Sequence, residues 1–327
     1  MNNILAGAAM GAALTTAGVY APDIILSQFK FTDFTMLQTF LTAAAGSTLV
    51  VTASQALHLT ALPPRPCASL GVLGTRYDGN ILGGALLGAG MAVSGACPGT
   101  VLAQLGVGVR SGRYAFAGAV LAGTVWSWIS RNRRCAVKKE DEAKGDGKGE
   151  KRAETVYEAL GVSRGALVMG LEAMLVVAIA TAVKFTAAPA AEARGIPPYF
   201  AGLAIAAAQL VSIVLRSSLL GASTAFEDMG GFVFGVRKYA NVLFSAGVVG
   251  GAWLISSLVP ALRPVTEVAV SPARAALGGF MIIFGSRMAG GCTSGHGISG
   301  LSLMSISSFL TAAATFGFGG LMGLLMS

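Results

Sequence analysis

Long apolar stretches separated by short polar connections run along almost the whole chain. Nine of them approach or exceed the ~20 residues that a membrane-spanning helix requires, and they cover 4–26, 35–60, 81–109, 114–130, 165–187, 200–221, 239–260, 275–306 and 308–326. The pattern predicts an all-α integral membrane protein with about nine transmembrane passes. Two stretches, 81–109 and 275–306, are interrupted by Gly-rich sequence, which predicts broken or re-entrant segments.

The composition supports this class of protein. Of the 327 residues, 54% are hydrophobic and 12% are charged, whereas soluble domains carry about 25% charged residues. The net charge of +8 does not indicate nucleic-acid binding, because the basic residues lie in the connections and are not interleaved with aromatic residues on one surface. The four cysteines are too scattered for a disulfide framework or a zinc site. No metal or cofactor is predicted.

A charged segment, 131–154, divides the chain into two halves. It contains nine Lys/Arg and six Asp/Glu, and such a composition predicts a disordered loop. Its basic excess predicts that it lies on the cytoplasmic side of a membrane, which we expect to be the plasma membrane. The predicted organisation is a first membrane repeat over 1–130, this loop, a linking transmembrane helix within 155–198, and a second membrane repeat over 199–327.

The two interrupted segments resemble each other at an offset of 195 residues. At this offset four glycines coincide, and Cys97 coincides with Cys292. Two ordinary Gly-rich packing helices are the alternative explanation. If the two halves enter the membrane from opposite sides, as the number of passes between them indicates, they form an inverted repeat. Transport proteins that bind substrate near the membrane midplane are typical of that arrangement.

Each interrupted segment carries one cysteine turn. Pro98 predicts that Cys97 caps a short helix, and five glycines among residues 290–300 exclude a regular helix around Cys292. Helix N-termini attract anions, and a neutral thiol is a weak donor suited to a soft acceptor such as sulfur. We therefore expect a binding site for a small sulfur-containing anion and no catalytic residue. The candidate residues in the turns are Gly95, Cys97, Pro98, Gly291, Cys292, Thr293 and His296.

The stretches Ser94–Thr100 and Gly285–Leu301 resemble the signature turns of the YeeE/YedE sulfur-transport family, and Leu215–Glu227 is similar more weakly. The resemblance implies an hourglass-shaped inverted repeat that takes up thiosulfate and passes it along through S–H contacts of Cys97 and Cys292. Family members often have another cysteine in the first pass, which this chain lacks. The expected partners are thiosulfate or a related small anion, the lipid bilayer and a cytoplasmic sulfur-acceptor protein, without nucleic acid.

Several alternatives stay open at this level. Arg287 either attracts the anion or forms an ion pair between helices, for which Glu172 is a candidate partner. His296 either donates to the anion or makes a structural hydrogen bond. The transported species is thiosulfate or another sulfur or selenium oxyanion. A membrane sulfurtransferase with a persulfide on Cys97 or Cys292 is the enzymatic alternative.

Overall fold

The structure, a computed structural model, describes residues 1–59, 62–141, 154–185, 196–263 and 270–326. All regular elements in these ranges are helical, which confirms the predicted all-α class. The α-helices are α1 (Asn2–Thr16), α2 (Pro22–Phe29), α3 (Thr35–Ala56), α4 (Asp78–Ser94), α5 (Pro98–Val107), α6 (Arg110–Asp141), α7 (Val156–Leu160), α8 (Arg164–Phe185), α9 (Pro198–Arg216), α10 (Ser223–Val233), α11 (Ala240–Leu258), α12 (Pro272–Met288) and α13 (Ile306–Leu325). A 3-10 helix covers Pro260–Leu262, and a π-helix covers Ser294–Gly300.

Six segments of the described chain are long and apolar enough to cross a membrane, and the protein is an integral membrane protein. They are Thr35–Ala56, Asp78–Val107, Arg164–Phe185, Pro198–Arg216, Ala240–Leu258 and Ile306–Leu325. The three other predicted passes do not meet this criterion. The stretch 4–26 is divided between α1 and α2, 275–306 is divided between α12 and the π-helix, and 114–130 lies inside α6.

Among the helices that end at a short turn and are followed at once by a second helix or helical turn are four that divide or end a predicted pass. These turns are 17–21 after α1, 95–97 after α4, 217–222 after α9 and 289–293 after α12. Each contains a residue with positive φ, namely Gly18 (70°), Gly95 (63°), Ser217 (48°) and Gly290 (80°). This left-handed conformation ends a helix and reverses the local direction of the chain. The sequence predicted the second and fourth breaks and missed the other two.

The helices pack through small residues, so that their backbones touch. α1 packs on α11 and α3 packs on α9, while α4 packs on α13 and α6 packs on α12. At the centre α4 and α12 lie against each other. A Cβ atom at Gly7 would lie 2.0 Å from the carbonyl oxygen of Phe244, and one at Gly251 would lie 2.2 Å from that of Ala8. Close approach of this kind is how membrane helices associate without a hydrophobic driving force.

The segment between the two halves is attached to the second half by its backbone. The Val156 N–H donates to Met304 O at 2.9 Å, and the Ile306 N–H donates to Glu154 O at 3.1 Å. α8 then packs beside α3. The first part of the charged segment 131–154 continues α6 as far as Asp141, which accords with the helix propensity of Arg, Lys, Ala and Glu. Residues 142–153 of that segment lie outside the described residues.

Candidate functional site

The first cysteine turn forms the start of α5. Cys97 is the N-cap and Pro98 is the first helical residue, as the sequence predicted. The Cys97 N–H donates to Thr100 Oγ1 at 2.7 Å, while the N–H and hydroxyl of Thr100 approach the Cys97 sulfur at 3.4 and 3.3 Å. The sulfur thus accepts hydrogen bonds from its own helix, and its S–H proton is left to donate elsewhere.

A second short helix begins beside this turn. A Cβ atom at Gly95 would lie 2.8 Å from the Cβ of Pro22, so the start of α2 contacts the Cys97 turn. The Gln104 side chain joins the two turns, because its Nε2 donates to Tyr20 O at 2.8 Å and to Gly95 O at 2.9 Å. Apolar side chains of α1 enclose this end of the site, since Met10 Cε would lie 3.1 Å from a Cβ at Gly99.

The second cysteine turn lies between α12 and the π-helix. A π-helix has wider turns than an α-helix, so the structure confirms that the Gly-rich stretch does not form a regular α-helix. Cys292 is 1% exposed, and its sulfur lies 3.3 Å from Ser294 Oγ. The backbone N–H groups of Ala222, Ser223 and Gly295 also interact with this thiol. Since α10 begins at Ser223, Cys292 lies at the positive end of a helix that the sequence did not indicate.

His296 and Gly291 shape this second turn from inside. His296 Nδ1 lies 2.9 Å from Ser308 Oγ, and Nε2 lies 3.0 Å from Ala289 O. Both ring nitrogens therefore have structural partners, which agrees with the structural alternative for His296. A Cβ at Gly291 would lie 2.9 Å from the imidazole. The Thr293 hydroxyl lies 3.4 Å from the sulfur of Met91 and connects the second turn to α4.

Arg287 forms an ion pair with Glu227. Its Nη1 also donates to Thr224 Oγ1 at 3.2 Å. Arg287 thus forms an ion pair between helices, which was one of its two predicted roles. The predicted partner, Glu172, was wrong. Glu172 lies on α8, and its buried Oε1 has no hydrogen-bond partner in the described structure. The true pair joins α12 to α10 close to the second cysteine turn.

A polar cavity of about 90 Å³ opens at Cys292. Its lining includes Arg65, Arg216, Ser223, Thr224, Asn241 and Cys292. Cys97 does not line it. The sequence interpretation missed Arg65, which lies within a Pro-rich connection, and did not include Arg216 in the site. Burial lowers the pKa of the Arg65 guanidinium, but arginine stays protonated in proteins.

No group of three or more His, Cys, Asp and Glu side chains in the described ranges is arranged to hold a metal ion. The site instead offers two buried thiols, helix starts and arginine side chains. These groups suit a small anion, because N–H dipoles and guanidinium groups attract negative charge.

Interrupted helices whose starts lie buried inside a helical membrane bundle are features of a membrane transport protein. The chain belongs to the sulphur transport family, whose model matches residues 16–322. Two proteins of Xylella fastidiosa, each named a probable transporter, are similar to part of it. They are 29% (strain Temecula1) and 28% (strain 9a5c) identical to this chain over 116 residues. Each match covers 36% of this chain and 83% of the relative.

Proposed function

We propose that the protein takes up thiosulfate across the plasma membrane and passes it from the thiol of Cys97 to that of Cys292. The observation that carries the proposal is the matched placement of these thiols. Each is buried and each lies at the start of a short helix, in a chain of the sulphur transport family.

The chemistry of the two thiols suits a sulfur-bearing anion. A protonated thiol donates weakly to a polarizable sulfur, and such a contact holds the anion without a covalent bond. The helix starts of α5 and α10 add positive potential. Weak successive contacts allow the anion to leave each position as readily as it enters, which conduction requires.

Pairing of helices supports an inverted repeat for this path. The contact between α1 and α11 has its counterpart in the contact between α9 and α3. The contact between α4 and α13 likewise has its counterpart in the contact between α12 and α6. At the offset of 195 residues that relates Cys97 to Cys292, Gly95 and Gly290 both have positive φ. In such a repeat, the two thiols would be equivalent positions at successive stages of one path.

Two other functions can be distinguished from thiosulfate uptake. Sulfite and selenium oxyanions would use the same helix starts, and competition against thiosulfate uptake ranks them. A sulfurtransferase would require a base beside a thiol. His296 is the histidine nearest in sequence to Cys292, and its two ring nitrogens are occupied by Ala289 and Ser308. This arrangement favours transport over persulfide chemistry.

Uptake of labelled thiosulfate into proteoliposomes tests the proposal. Loss of one useful hydrogen bond of about 1 kcal/mol slows passage several-fold, so Cys97→Ser and Cys292→Ser are each expected to reduce uptake about fivefold or more. Cys67→Ser is the matched control, because Cys67 is exposed, and it should retain wild-type uptake. Unlabelled sulfate, which lacks the terminal sulfur, should compete poorly. A double serine variant that transports at the wild-type rate would refute the cysteine path.

A further inference from the structure

We infer that Arg65 and Arg216 form an anion subsite beside Cys292, which binds the oxygen atoms of a small divalent oxyanion. A terminal sulfur on that anion would then face the Cys292 thiol. The subsite itself is argued from the cavity, and only the identity of the natural ligand rests on the proposed function.

Hydrogen bonds hold the backbone of Arg65 in place, whereas its guanidinium has no hydrogen-bond partner among the described residues. Its N–H donates to Ser305 Oγ at 2.7 Å, and its carbonyl accepts from Ser307 Oγ at 2.9 Å. Its guanidinium reaches the second cysteine turn, since Nη2 would lie 3.6 Å from a Cβ at Gly295. No carboxylate, hydroxyl or carbonyl of the described residues bonds to this guanidinium. A partly buried guanidinium without a counter-ion is unfavourable, so this group favours the binding of an anion in the cavity.

Arg216 approaches the same cavity from the end of α9. Its guanidinium carbon lies 4.3 Å from the centre of the Phe244 ring, which holds the planar group in one orientation. Nη2 donates to Asn241 Oδ1 at 3.3 Å. The other terminal nitrogen, Nη1, is buried and has no hydrogen-bond partner among the described residues. Arg216 therefore also has donor capacity that its protein neighbours leave unused.

Neither Glu227 nor Asp228 forms an ion pair with Arg65 or Arg216. Glu227 is paired with Arg287, and Asp228 Oδ2 accepts from Asn241 Nδ2 at 2.7 Å. The cavity lining thus includes two guanidinium groups and no carboxylate, which suits a divalent anion. The N–H groups of Ala222 and Ser223 at the start of α10 interact with Cys292 and add positive potential from the same side.

The cavity also gives the bound anion a direction. Guanidinium groups are strong, well-directed donors to oxygen, whereas a thiol is a weak donor suited to sulfur. Both kinds of group line one cavity. An anion with oxygen atoms at one end and a sulfur atom at the other would satisfy both. Sulfate would satisfy the arginines alone, so it should bind this subsite more weakly and independently of the thiol.

Equilibrium binding to the purified full-length protein tests the subsite separately from transport. The probes are labelled thiosulfate and labelled sulfate at constant ionic strength. Arg65→Gln and Arg216→Gln are each expected to weaken binding of both anions at least tenfold. Cys292→Ser should weaken thiosulfate binding and leave sulfate binding within twofold of wild type. Unchanged binding of both anions in both arginine variants would overturn the inference.

Two further variants separate a binding role from general charge and from structure. Arg237→Gln removes the same charge from an exposed position outside the cavity lining and should bind both anions within twofold of wild type; an equal loss there would assign the effect to overall charge and reject the subsite. Arg65→Gln should melt at or above the wild-type temperature without ligand, because it removes an unpaired charge. A lower melting temperature with unchanged binding would make Arg65 structural.

Failure of the two proposals gives different results. If wild-type protein binds sulfate through the arginines but transports no thiosulfate, the uptake proposal fails and the subsite stands. If thiosulfate uptake depends on both cysteines while Arg65→Gln and Arg216→Gln bind and transport normally, the subsite fails and the uptake proposal stands.

Discussion

Arg287 of α12 and Glu227 of α10 form an ion pair beside the second cysteine turn. Their side chains are only 16% and 14% exposed, so water hydrates each charge poorly and each is stabilised by the other. The pair connects the helix that leads into the Cys292 turn with the helix whose start faces the Cys292 thiol. We therefore assign Arg287 a role in positioning these two helices, rather than one in direct contact with the anion.

Removal of one member of this pair should destabilise the protein more than removal of both. Arg287→Ala leaves Glu227 unpaired, and we expect a loss of about 2 kcal/mol, less than for a fully buried pair. The double variant Arg287→Ala with Glu227→Ala should recover part of that loss. Melting temperatures in detergent measure the difference. Additive losses in the double variant would show that the two side chains are not coupled.

Thr100 should control the geometry of Cys97. Thr100→Val keeps the shape of the side chain but removes the hydroxyl that accepts from the Cys97 N–H and donates to its sulfur. We expect a loss of about 1 kcal/mol in stability and slower thiosulfate uptake. Thr100→Ser should retain most of both.

Thr124→Val is the matched control for Thr100→Val. The Thr124 hydroxyl donates to Val120 O in its own helix at 2.9 Å, so its removal leaves the cysteine turns unchanged. If Thr124→Val and Thr100→Val reduced uptake equally, the Cys97 cap would have no particular part in transport.

Gly291→Ala should disturb the second turn through His296. The added methyl group would lie 2.9 Å from the imidazole, which holds Ala289 and Ser308 by hydrogen bonds. We expect a loss of about 1–3 kcal/mol, the usual range for overpacking, and reduced uptake. Gly317→Ala in α13 meets no atom within 4 Å and should be neutral or slightly stabilising. A stable, fully active Gly291→Ala protein would contradict this account of the turn.

The charged segment should not contribute to transport. Residues 142–153 are rich in Lys, Glu and Gly. They contain no apolar run that could pack on the bundle. Replacement of 142–153 by a Gly/Ser linker of equal length should leave thiosulfate uptake within twofold of wild type. Abolished uptake in correctly inserted protein would show that the segment gates the path or binds a required partner.

Sequence pattern was sufficient where a single stretch of chain determines the outcome. Pro98 fixed Cys97 as a helix cap, because a proline is favoured at the first position of a helix. The glycines around Cys292 excluded a regular helix for an equally local reason. Membrane insertion followed from the length and hydropathy of individual stretches.

Features that depend on distant residues could not be predicted in this way. The break after α1 lies in a continuous apolar stretch, where Gly18 and Pro22 are the only local signs of it. Arg65 reaches Cys292 through the tertiary packing of a connection whose own sequence indicates only a turn. The partner of Arg287 was misassigned because a charged residue in a membrane segment reveals its need for a counter-ion and not the identity of that counter-ion.

The parallel contact between α1 and α11 has a consequence for synthesis of the protein. Gly7 and Gly11 of α1 lie against the backbone of Phe244 and Val248, so α1 meets its main partner only after the rest of the first half, the linking helix and part of the second half have been made. At roughly 5–20 residues per second, that helix waits ~10 s or longer in the translocation machinery or in lipid. We therefore expect the two predicted halves to interlock late and not to fold independently. Co-expression of the halves as separate polypeptides should restore a functional protein, whereas either half alone should be degraded.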